Sequence, residues 1–378
     1  MINRKINNVE LEIDPLEGDA IYFLEEDASN LKDFDIESII SYIHSKGDGK
    51  YIPLCLTIEL TNKCNYNCSF CYINNNESKS NPTKFYRFNN IKNDLAWLID
   101  KGLLYCTITG GEPLIHPDFK ELYLFLKNKG VLINLFTNLS CLKEDSLDLI
   151  LTYPPFKLET TMYAFSDLQY KNITEQSAFL AEDFKRKILF LKQHNINIIC
   201  KTPLNISTIE EFKLCKEWCE ENEVEYYFSD NVSNTYNGTD LHKYELSMDE
   251  KLIIRKEKIK DTQLLDLNQF GVKRAFECGA GEYSLFISYD YRLRPCMSFH
   301  AIKDANFEIE FNKIEDAYNA MLKFINRYKG KMLTFCCGCN AKNICKICII
   351  DELRYNQTGC DYCKKCSENK YILEKLIK

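Results

Sequence analysis

The sequence predicts an α/β protein, a partial barrel of six strand–helix units followed by a small cysteine-rich domain. From Pro53 onward, short apolar β-branched runs alternate strictly with amphipathic helical stretches. That order of elements is typical of a parallel sheet. Ten of the 19 cysteines lie from Cys278 onward, where the alternation has ended. Six repeats are too few for a closed eight-stranded barrel, so we expect a partial (βα)6 TIM-like barrel.

The predicted barrel strands follow from these apolar runs. They cover residues 54–60, 105–109, 132–137, 157–163, 196–202 and 224–229. The pattern changes to short β-like segments after about residue 266. We therefore expect three regions: an N-terminal extension (1–50), the barrel (51–266) and the C-terminal domain (267–378). In the extension, residues 21–24 are predicted to form a strand and residues 35–45 a helix.

Composition limits the class of protein. Hydrophobic residues make up 45% of the chain and the formal net charge is −7, which disfavours nucleic acid and anionic membranes as partners. No apolar run reaches the roughly 18 residues of a membrane span, and the N-terminus lacks the apolar core of a signal peptide. We therefore expect a cytoplasmic protein. Because cytosolic thiols stay reduced, 19 cysteines indicate metal binding rather than disulfides.

The first cysteine group follows the first barrel strand. Cys64, Cys68 and Cys71 are separated by three and two residues, in the loop where barrels of this kind build active sites. This spacing lets one loop hold three irons of a 4Fe-4S cluster and leaves the fourth iron open to a small molecule. A structural zinc site needs a fourth ligand, and no Cys or His follows Cys71 for more than thirty residues.

This loop resembles the cluster-binding motif of the radical SAM superfamily, whose members use S-adenosylmethionine (SAM). The aromatic residues Phe70 and Tyr72 flank its last cysteine, as in that family. Gly110-Gly111-Glu112-Pro113, at the end of the second strand, resembles the family's SAM-binding turn. The resemblance implies that these residues bind SAM, and that Thr137, Asn138 and Thr161, at the ends of the next two strands, contact it as well. Glycines allow close backbone approach, and Glu112 is expected to receive the ammonium of the ligand.

The C-terminal cysteines resemble the SPASM extension of peptide-modifying radical SAM enzymes. That resemblance implies two auxiliary 4Fe-4S clusters. The inner one would be held by Cys278, Cys296 and Cys348. The outer one would be held by Cys336, Cys339 and Cys345 with one of Cys360, Cys363 or Cys366. Cys-x2-Cys pairs suit zinc equally well, so structural zinc sites are the alternative.

The resemblance implies a peptide maturase. Cleavage of SAM would give a radical that abstracts hydrogen from a ribosomally made precursor peptide and installs a thioether or carbon–carbon crosslink. A flavodoxin or ferredoxin would supply electrons, and residues 1–50 would either bind the leader peptide by strand addition or cover the barrel. The alternatives are a peptide epimerase, an anaerobic sulfatase-maturing enzyme and a non-catalytic multi-metal interaction module. Met297 stands where sulfatase-maturing enzymes carry an acidic residue. Beyond the cluster, Cys141 and Asp230 are the candidate catalytic residues.

Overall fold

A computed structural model of the chain describes most of its length. The described residues are 1–18, 20–23, 36–46, 52–73, 85–230, 232–233, 235–236, 238–262, 275–276, 278–330, 348–350, 353 and 371. Six predicted metal ligands lie outside this set: Cys336, Cys339, Cys345, Cys360, Cys363 and Cys366.

The chain begins with a small antiparallel sheet and one helix. The strands are β1 (Ile2–Ile6), β2 (Val9–Asp14) and β3 (Ala20–Phe23), in that spatial order, and the helix is α1 (Ile36–Ser45). The strand and helix predicted here are confirmed. β1 and β2 were not predicted, although the buried Val9, Leu11 and Ile13 of β2 alternate with polar residues as in a half-buried strand.

The main sheet contains nine strands and is mostly parallel. In chain order they are β4 (Cys55–Glu59), β5 (Tyr105–Thr109), β6 (Leu132–Phe136), β7 (Lys157–Thr161), β8 (Ile198–Pro203), β9 (Glu225–Ser229), β10 (Ser284–Ile287), β11 (Arg292–Arg294) and β12 (Phe307–Glu308). Their spatial order is β12-β11-β10-β4-β5-β6-β7-β8-β9. The six predicted barrel strands are therefore confirmed, with end shifts of one or two residues. Because β9 and β12 form the two edges of this sheet, it is a partial barrel, as predicted.

Helices cover the outer face of the sheet. They are α2 (Phe88–Lys101), α3 (Phe119–Asn128), α4 (Glu144–Thr152), α5 (Asp167–Thr174), α6 (Ala181–Gln193), α7 (Phe212–Glu221), α8 (Met248–Thr262) and α9 (Ile314–Tyr328). Helix α3 shows the pattern clearly: Phe119, Leu122 and Leu126 recur at helical spacing and are buried. Gly130 ends this segment at φ 64°, a left-handed conformation that favours glycine. None of the helices in the described ranges has the length and apolar character needed to cross a membrane.

The sheet continues across the predicted boundary near residue 266. Strand β10 pairs in parallel with β4, and β11 and β12 extend the sheet antiparallel to their neighbours. The beginning of the C-terminal region thus extends the barrel wall beside β4. This pairing holds β10 next to the strand that leads into the cysteine loop.

The N-terminal unit packs against the opposite end of the barrel. Ile6, Leu11 and Ile43 share one apolar cluster with Leu54 and Leu104, which precede β4 and β5. Arg4 of β1 donates hydrogen bonds to the carbonyls of Ile99 and Leu103 at the end of α2. The unit therefore covers the N-terminal ends of the barrel strands. The cysteine loop lies at the other end of the barrel, where the strands have their C-terminal ends.

Asp94 on α2 fixes the start of the last described helix. Its side chain is 2% exposed and accepts hydrogen bonds from the Tyr291 hydroxyl (2.7 Å) and from the backbone N–H groups of Asn312 (2.8 Å) and Ile314 (3.0 Å). The carboxylate of Asp94, on α2, thus caps the N-terminus of α9. It joins the barrel to the C-terminal region.

We expect Asp94→Ala to lower the free energy of unfolding by about 2–3 kcal/mol, because it leaves three donors without their acceptor. Denaturant unfolding measures this change. Asn90→Ala, an exposed substitution in the same helix, is the matched control and should change it by less than about 0.5 kcal/mol. Equal effects of the two substitutions would contradict the role of Asp94.

Candidate active site

The cysteine loop follows β4 at the C-terminal end of that strand. Cys68 is buried, and Cys64 and Cys71 are half-buried. The Cys71 N–H donates to the Cys68 carbonyl at 3.1 Å, which closes the last turn of the loop. The Asn67 N–H donates to the Thr174 carbonyl at the end of α5, so the loop is also tied to the helical layer. The three thiols are close enough for their charges to interact.

The glycine pair of the next strand end packs directly against this loop. The Gly111 N–H donates to the Thr61 carbonyl at 2.8 Å, and the Glu112 N–H donates to the Lys63 carbonyl at 2.9 Å. A Cβ on Gly110 would lie 2.6 Å from the Thr61 carbonyl oxygen, and one on Gly111 would overlap the Lys63 carbonyl. The absence of a Cβ at both glycines therefore allows the cysteine loop to approach the turn. The close approach of a ligand to the same glycines stays a prediction.

Glu112 connects the second and third barrel strand ends. Its side chain is fully buried and accepts hydrogen bonds from the Thr137 hydroxyl (2.8 Å), the Asn138 N–H (2.8 Å) and the Leu114 N–H (3.1 Å). The Asn138 side chain in turn donates to Asn65 Oδ1 at 3.0 Å and to Cys64 Sγ at 3.8 Å. The structure thus brings Glu112, Thr137 and Asn138 together beside the first cysteine.

Residues 58–213 match the protein-family model described as the Radical SAM superfamily. This range holds the cysteine loop, the glycine turn and both strand ends that Glu112 connects. The chain carries a radical SAM domain.

Two curated relatives, both from Bacillus subtilis (strain 168), match the chain at 24% identity. One is the antilisterial bacteriocin subtilosin biosynthesis protein AlbA, matched over 268 residues, which cover 68% of this chain and 58% of AlbA. The other is the sporulation killing factor maturation protein SkfB, matched over 178 residues, which cover 47% of this chain and 42% of SkfB. The matched segments therefore span about half the length of these relatives.

Among solved structures, Streptococcus suis SuiB bound to S-adenosylmethionine superposes with a TM-score of 0.63 at 13% identity. The match covers 88% of this chain and 81% of SuiB. At this identity the likeness shows a shared fold, and it extends from the radical SAM domain into the C-terminal region.

The residues of the cysteine loop fit an iron–sulfur cluster. Burial raises the pKa of Cys64 to about 12, and the negative charge of Glu112 adds to this rise. Thiolates here therefore need a positively charged partner, which a bound cluster supplies. Within the described ranges, no three His, Cys, Asp or Glu side chains converge tightly enough to bind one ion. The thiolates of a four-iron cluster bind separate iron atoms and need not converge in that way.

The adjacent turn fits SAM. Burial raises the pKa of Glu112 to about 7, and its hydrogen bonds counteract this rise only in part. No Lys, Arg or His in the described part of the chain forms an ion pair with this carboxylate. A buried acid without a cationic partner suits a ligand that carries an ammonium and a sulfonium.

Three other predicted SAM-binding residues, Phe70, Tyr72 and Thr161, have no described hydrogen bond to Glu112, and each contacts a different part of the barrel. Phe70 packs against the rings of Tyr163 and Tyr244. The Tyr72 hydroxyl donates to the carboxylate of Glu59 at 3.2 Å. Thr161 lies at the end of β7, paired in register with Lys201 of β8. Phe70 is thus part of an aromatic cluster, and Tyr72 is hydrogen-bonded to the buried carboxylate of Glu59.

The two candidate catalytic residues follow different strands. Cys141 lies between β6 and α4, and Asp230 lies after β9. Cys141 is half-buried, interacts electrostatically with Cys64, and has a pKa raised by burial and by Glu112. Asp230 directly follows β9, the edge strand farthest from β12. Cys141 therefore belongs to the surroundings of the cysteine loop, whereas Asp230 belongs to the open edge of the sheet.

Three C-terminal cysteines lie in the described residues and are close to one another. Burial raises the pKa of Cys296 to about 11, and the charges of Cys348 and Cys278 add to the rise. Cys278 is exposed, and the other two are half-buried. The structure therefore brings together thiols that are distant in sequence, although the remaining predicted ligands lie outside the described residues.

A cavity of about 270 Å³ lies between the barrel interior and the C-terminal region. Its walls come from β4, β5, β6 and β10, from the residue after Cys71, and from the segment that carries Cys296. The lining residues are Thr57, Tyr72, Thr109, Phe136, Ser284, Leu285, Phe286, Cys296 and Met297. This cavity is bounded by residues from both cysteine regions.

Two charged sites lie inside the barrel, and sequence reasoning missed their carboxylates, Glu59 and Glu159. Glu59, at the end of β4, is fully buried and hydrogen-bonded by Tyr72 and Tyr236. Glu159 of β7 is paired with Lys201, whose ammonium lies 3.6 Å from the centroid of the Phe136 ring. The sequence offered one signal for each site, an acidic residue within an otherwise apolar strand. The partners of Glu59 and Glu159 could not be predicted, because they lie in strands and loops that are far away in the sequence.

We expect Gly110→Ala to weaken SAM binding by the reconstituted protein about tenfold or more, because strain of roughly 1–3 kcal/mol would displace the cysteine loop. Isothermal titration calorimetry under anaerobic conditions measures the affinity. Gly238→Ala is the matched control, since Gly238 also has a positive φ but an added Cβ there would meet no atom within 4 Å. Equal losses in both variants would show that backbone strain alone, rather than contact with Thr61, is responsible.

Proposed function

We propose that this protein is a radical SAM peptide maturase that installs a thioether or carbon–carbon crosslink in a ribosomally made precursor peptide. The observation that carries the proposal is the cavity whose walls include both Tyr72, next to Cys71, and Cys296. A substrate group held there would contact the radical-forming side and the C-terminal cysteine region together. Such an arrangement suits a reaction that removes a hydrogen atom and then an electron.

The protein's own residues would hold and orient the reactants. Cys64, Cys68 and Cys71 would bind the 4Fe-4S cluster, while the turn at Gly110 and the charge of Glu112 would orient SAM. When bound, the cluster and SAM supply a carbon-centred radical that abstracts hydrogen. The buried walls around the cysteine loop exclude water from this step.

The comparisons support a peptide as the substrate. AlbA is named for bacteriocin biosynthesis and SkfB for maturation of a killing factor. SuiB has been solved bound to its precursor peptide SuiA, and that structure superposes on this chain with a TM-score of 0.64 at 15% identity. We therefore propose a precursor peptide as the partner.

The cavity favours one substrate side chain of apolar character. Phe136, Leu285, Phe286 and Met297 form its apolar walls, and its volume of about 270 Å³ suits a single side chain rather than a folded peptide. Cys296 is part of the same lining. A reacting residue that enters here would be an aliphatic, aromatic or sulfur-containing one.

The C-terminal cysteines would hold auxiliary iron–sulfur clusters. Cys278 and Cys348 both interact electrostatically with Cys296, which supports one cluster at these three cysteines. A cluster at Cys296 would border the cavity and suit the role of electron acceptor. We further propose a flavodoxin or ferredoxin as external electron donor and a reducing, cytoplasmic setting for these thiols.

The N-terminal unit would bind the leader part of the peptide. Strand β3 pairs with β2 on one side, and none of the described strands pairs with its other side. A peptide could extend the sheet at this edge, next to the exposed ring of Tyr22. Because the unit lies at the N-terminal ends of the barrel strands, the bound peptide would have to run past the barrel to reach the cavity.

The central test is SAM cleavage. We expect the reconstituted enzyme to form 5′-deoxyadenosine, and we expect Cys68→Ala to form none, because one iron of the cluster loses its ligand. Cys106→Ala, a buried strand cysteine outside the loop, is the matched control and should retain activity. Chromatography of the nucleoside products gives the result.

Two further measurements complete this test. Iron, sulfide and zinc analysis separates the enzyme from a metal-bound interaction module, since zinc without iron would refute the enzyme. Mass spectrometry of the precursor peptide identifies the reaction. Loss of two hydrogens indicates a crosslink, whereas unchanged mass with deuterium uptake from solvent indicates epimerisation.

Leader binding has a separate test. We expect Tyr22→Ala to weaken binding of a fluorescein-labelled precursor peptide by about tenfold, the effect of losing an aromatic contact of about 1–2 kcal/mol. Fluorescence anisotropy measures the affinity. Leu16→Ala, which removes another exposed apolar side chain in the preceding turn, is the control. Unchanged affinity in Tyr22→Ala would refute strand addition at β3.

A further inference from the structure

A second buried carboxylate lies next to the cavity, at the end of β4. Glu59 is fully buried. Its Oε1 accepts hydrogen bonds from the hydroxyls of Tyr236 (2.7 Å) and Tyr72 (3.2 Å), and its Oε2 faces the backbone N–H of Tyr289 at 3.4 Å. These partners come from three separate segments: the cysteine loop, the segment after β9 and the turn between β10 and β11.

One basic side chain and two further tyrosine side chains face this carboxylate. The guanidinium of Arg294 acts on Glu59 through its charge, and it lies 5.2 Å from the centroid of the Tyr236 ring. The hydroxyls of Tyr86 and Tyr289 also interact with it electrostatically. Glu59 is not in a described ion pair, so Arg294 balances its charge from a distance.

Tyr72 is the link between Glu59 and the cavity. Tyr72 lines the cavity, and its hydroxyl donates a hydrogen bond to Glu59 Oε1 at 3.2 Å. Among the described residues, the cavity wall contains no carboxylate or histidine, and position 297, beside Cys296, is a methionine. A proton released inside the cavity therefore has Tyr72 and Glu59 as its route to a base.

We propose that Glu59 accepts, through Tyr72, the proton that the substrate loses when its crosslink forms. This inference rests on the proposed function, and it assigns to Glu59 a role separate from radical formation. Glu59 acts through another residue, so it is a positioning residue and proton acceptor rather than a group in contact with substrate.

Atoms and electrons balance in this step. A hydrogen atom has already left one substrate carbon, and that carbon then bonds to a second substrate atom X, which is sulfur or carbon. The X–H bond breaks, its proton passes to the Tyr72 oxygen, and the Tyr72 hydrogen passes to Glu59. The one electron left over would go to an oxidant of the iron–sulfur class, which the C-terminal cysteines would hold. Tyr72 ends the step unchanged, and Glu59 ends it protonated.

The acidity of Glu59 suits this role. Burial raises its pKa to about 7, and the hydrogen bond from Tyr236 and the charge of Arg294 limit the rise. A proton acceptor works best with a pKa near the operating pH. Because Glu59 must be deprotonated to accept the proton, crosslinking should increase as pH rises through about 7.

The first experiment measures protonation without any substrate. Infrared pH titration of the cluster-loaded protein should show a protonated carboxyl band that disappears through about pH 7. Subtraction of the Glu59→Gln spectrum isolates the band of Glu59 from the bands of other carboxyl groups, Glu112 included. We expect Tyr236→Phe to move the Glu59 titration to higher pH, because the carboxylate loses a stabilising donor. A Glu59 band that does not titrate between about pH 5 and 9 would overturn the proposal.

The second experiment distinguishes the hydrogen atom that the radical abstracts from carbon from the proton that atom X loses. With the precursor peptide converted in the assay above, Glu59→Gln should keep deuterium transfer from labelled peptide to 5′-deoxyadenosine within about twofold. Crosslinked product should fall about a hundredfold, the usual contribution of a positioned base. The rise of product formation with pH should be lost in Glu59→Gln and shifted upward in Tyr236→Phe. Tyr291→Phe is the matched control, since it removes a tyrosine hydrogen bond to Asp94, a buried carboxylate outside the cavity.

The remaining outcomes are distinct. Normal product formation in Glu59→Gln would overturn the inference and leave the maturase function intact. Loss of 5′-deoxyadenosine together with product would show that Glu59 only supports the radical site, which also overturns it. Absence of 5′-deoxyadenosine from the unmodified enzyme would refute the proposed function itself, and the infrared titration would still decide whether Glu59 exchanges a proton near neutral pH.

Discussion

The site depends on one close backbone contact, between the glycine turn at residues 110–111 and the cysteine loop. The turn can lie against Thr61 and Lys63 only because neither glycine has a Cβ. Two backbone hydrogen bonds then fix the register between the end of β5 and the start of the loop. The positions of Cys64 and of the Glu112 carboxylate both follow from this contact.

Buried acidic groups are the second common feature of the site. Glu112, Glu59 and the thiols of the cysteine loop are buried or largely buried, and burial raises the pKa of Glu112, Glu59 and Cys64 alike. A protein interior tolerates such groups when they are neutral or when a positive partner is bound. The radical SAM domain thus presents acidic groups where a cationic cofactor and a metal cluster would be held.

Two buried carboxylates join the barrel to the C-terminal region in different ways. Asp94 caps α9 and has no described contact with the cavity, so its role is structural. Glu59 joins β4 to the turn after β10 and reaches the cavity wall through Tyr72. The pairing of β10 with β4 sets the distance between these elements. The same connection therefore extends the barrel wall and brings Cys296 and Tyr72 to one cavity.

The sequence by itself determined the barrel strands, the cysteine loop and the glycine turn, because short apolar runs, cysteine spacing and glycine pairs are local signals. It also predicted short β-like segments after about residue 266. Only the tertiary structure decided that the hairpin of β10 and β11 extends the barrel sheet and that the N-terminal strands cover the opposite end of the barrel. Only it revealed the carboxylates of Glu59 and Glu159 and the partners of each. Their partners are up to 230 residues away in the chain, and such contacts depend on strand order and packing, which leave no local pattern in the sequence.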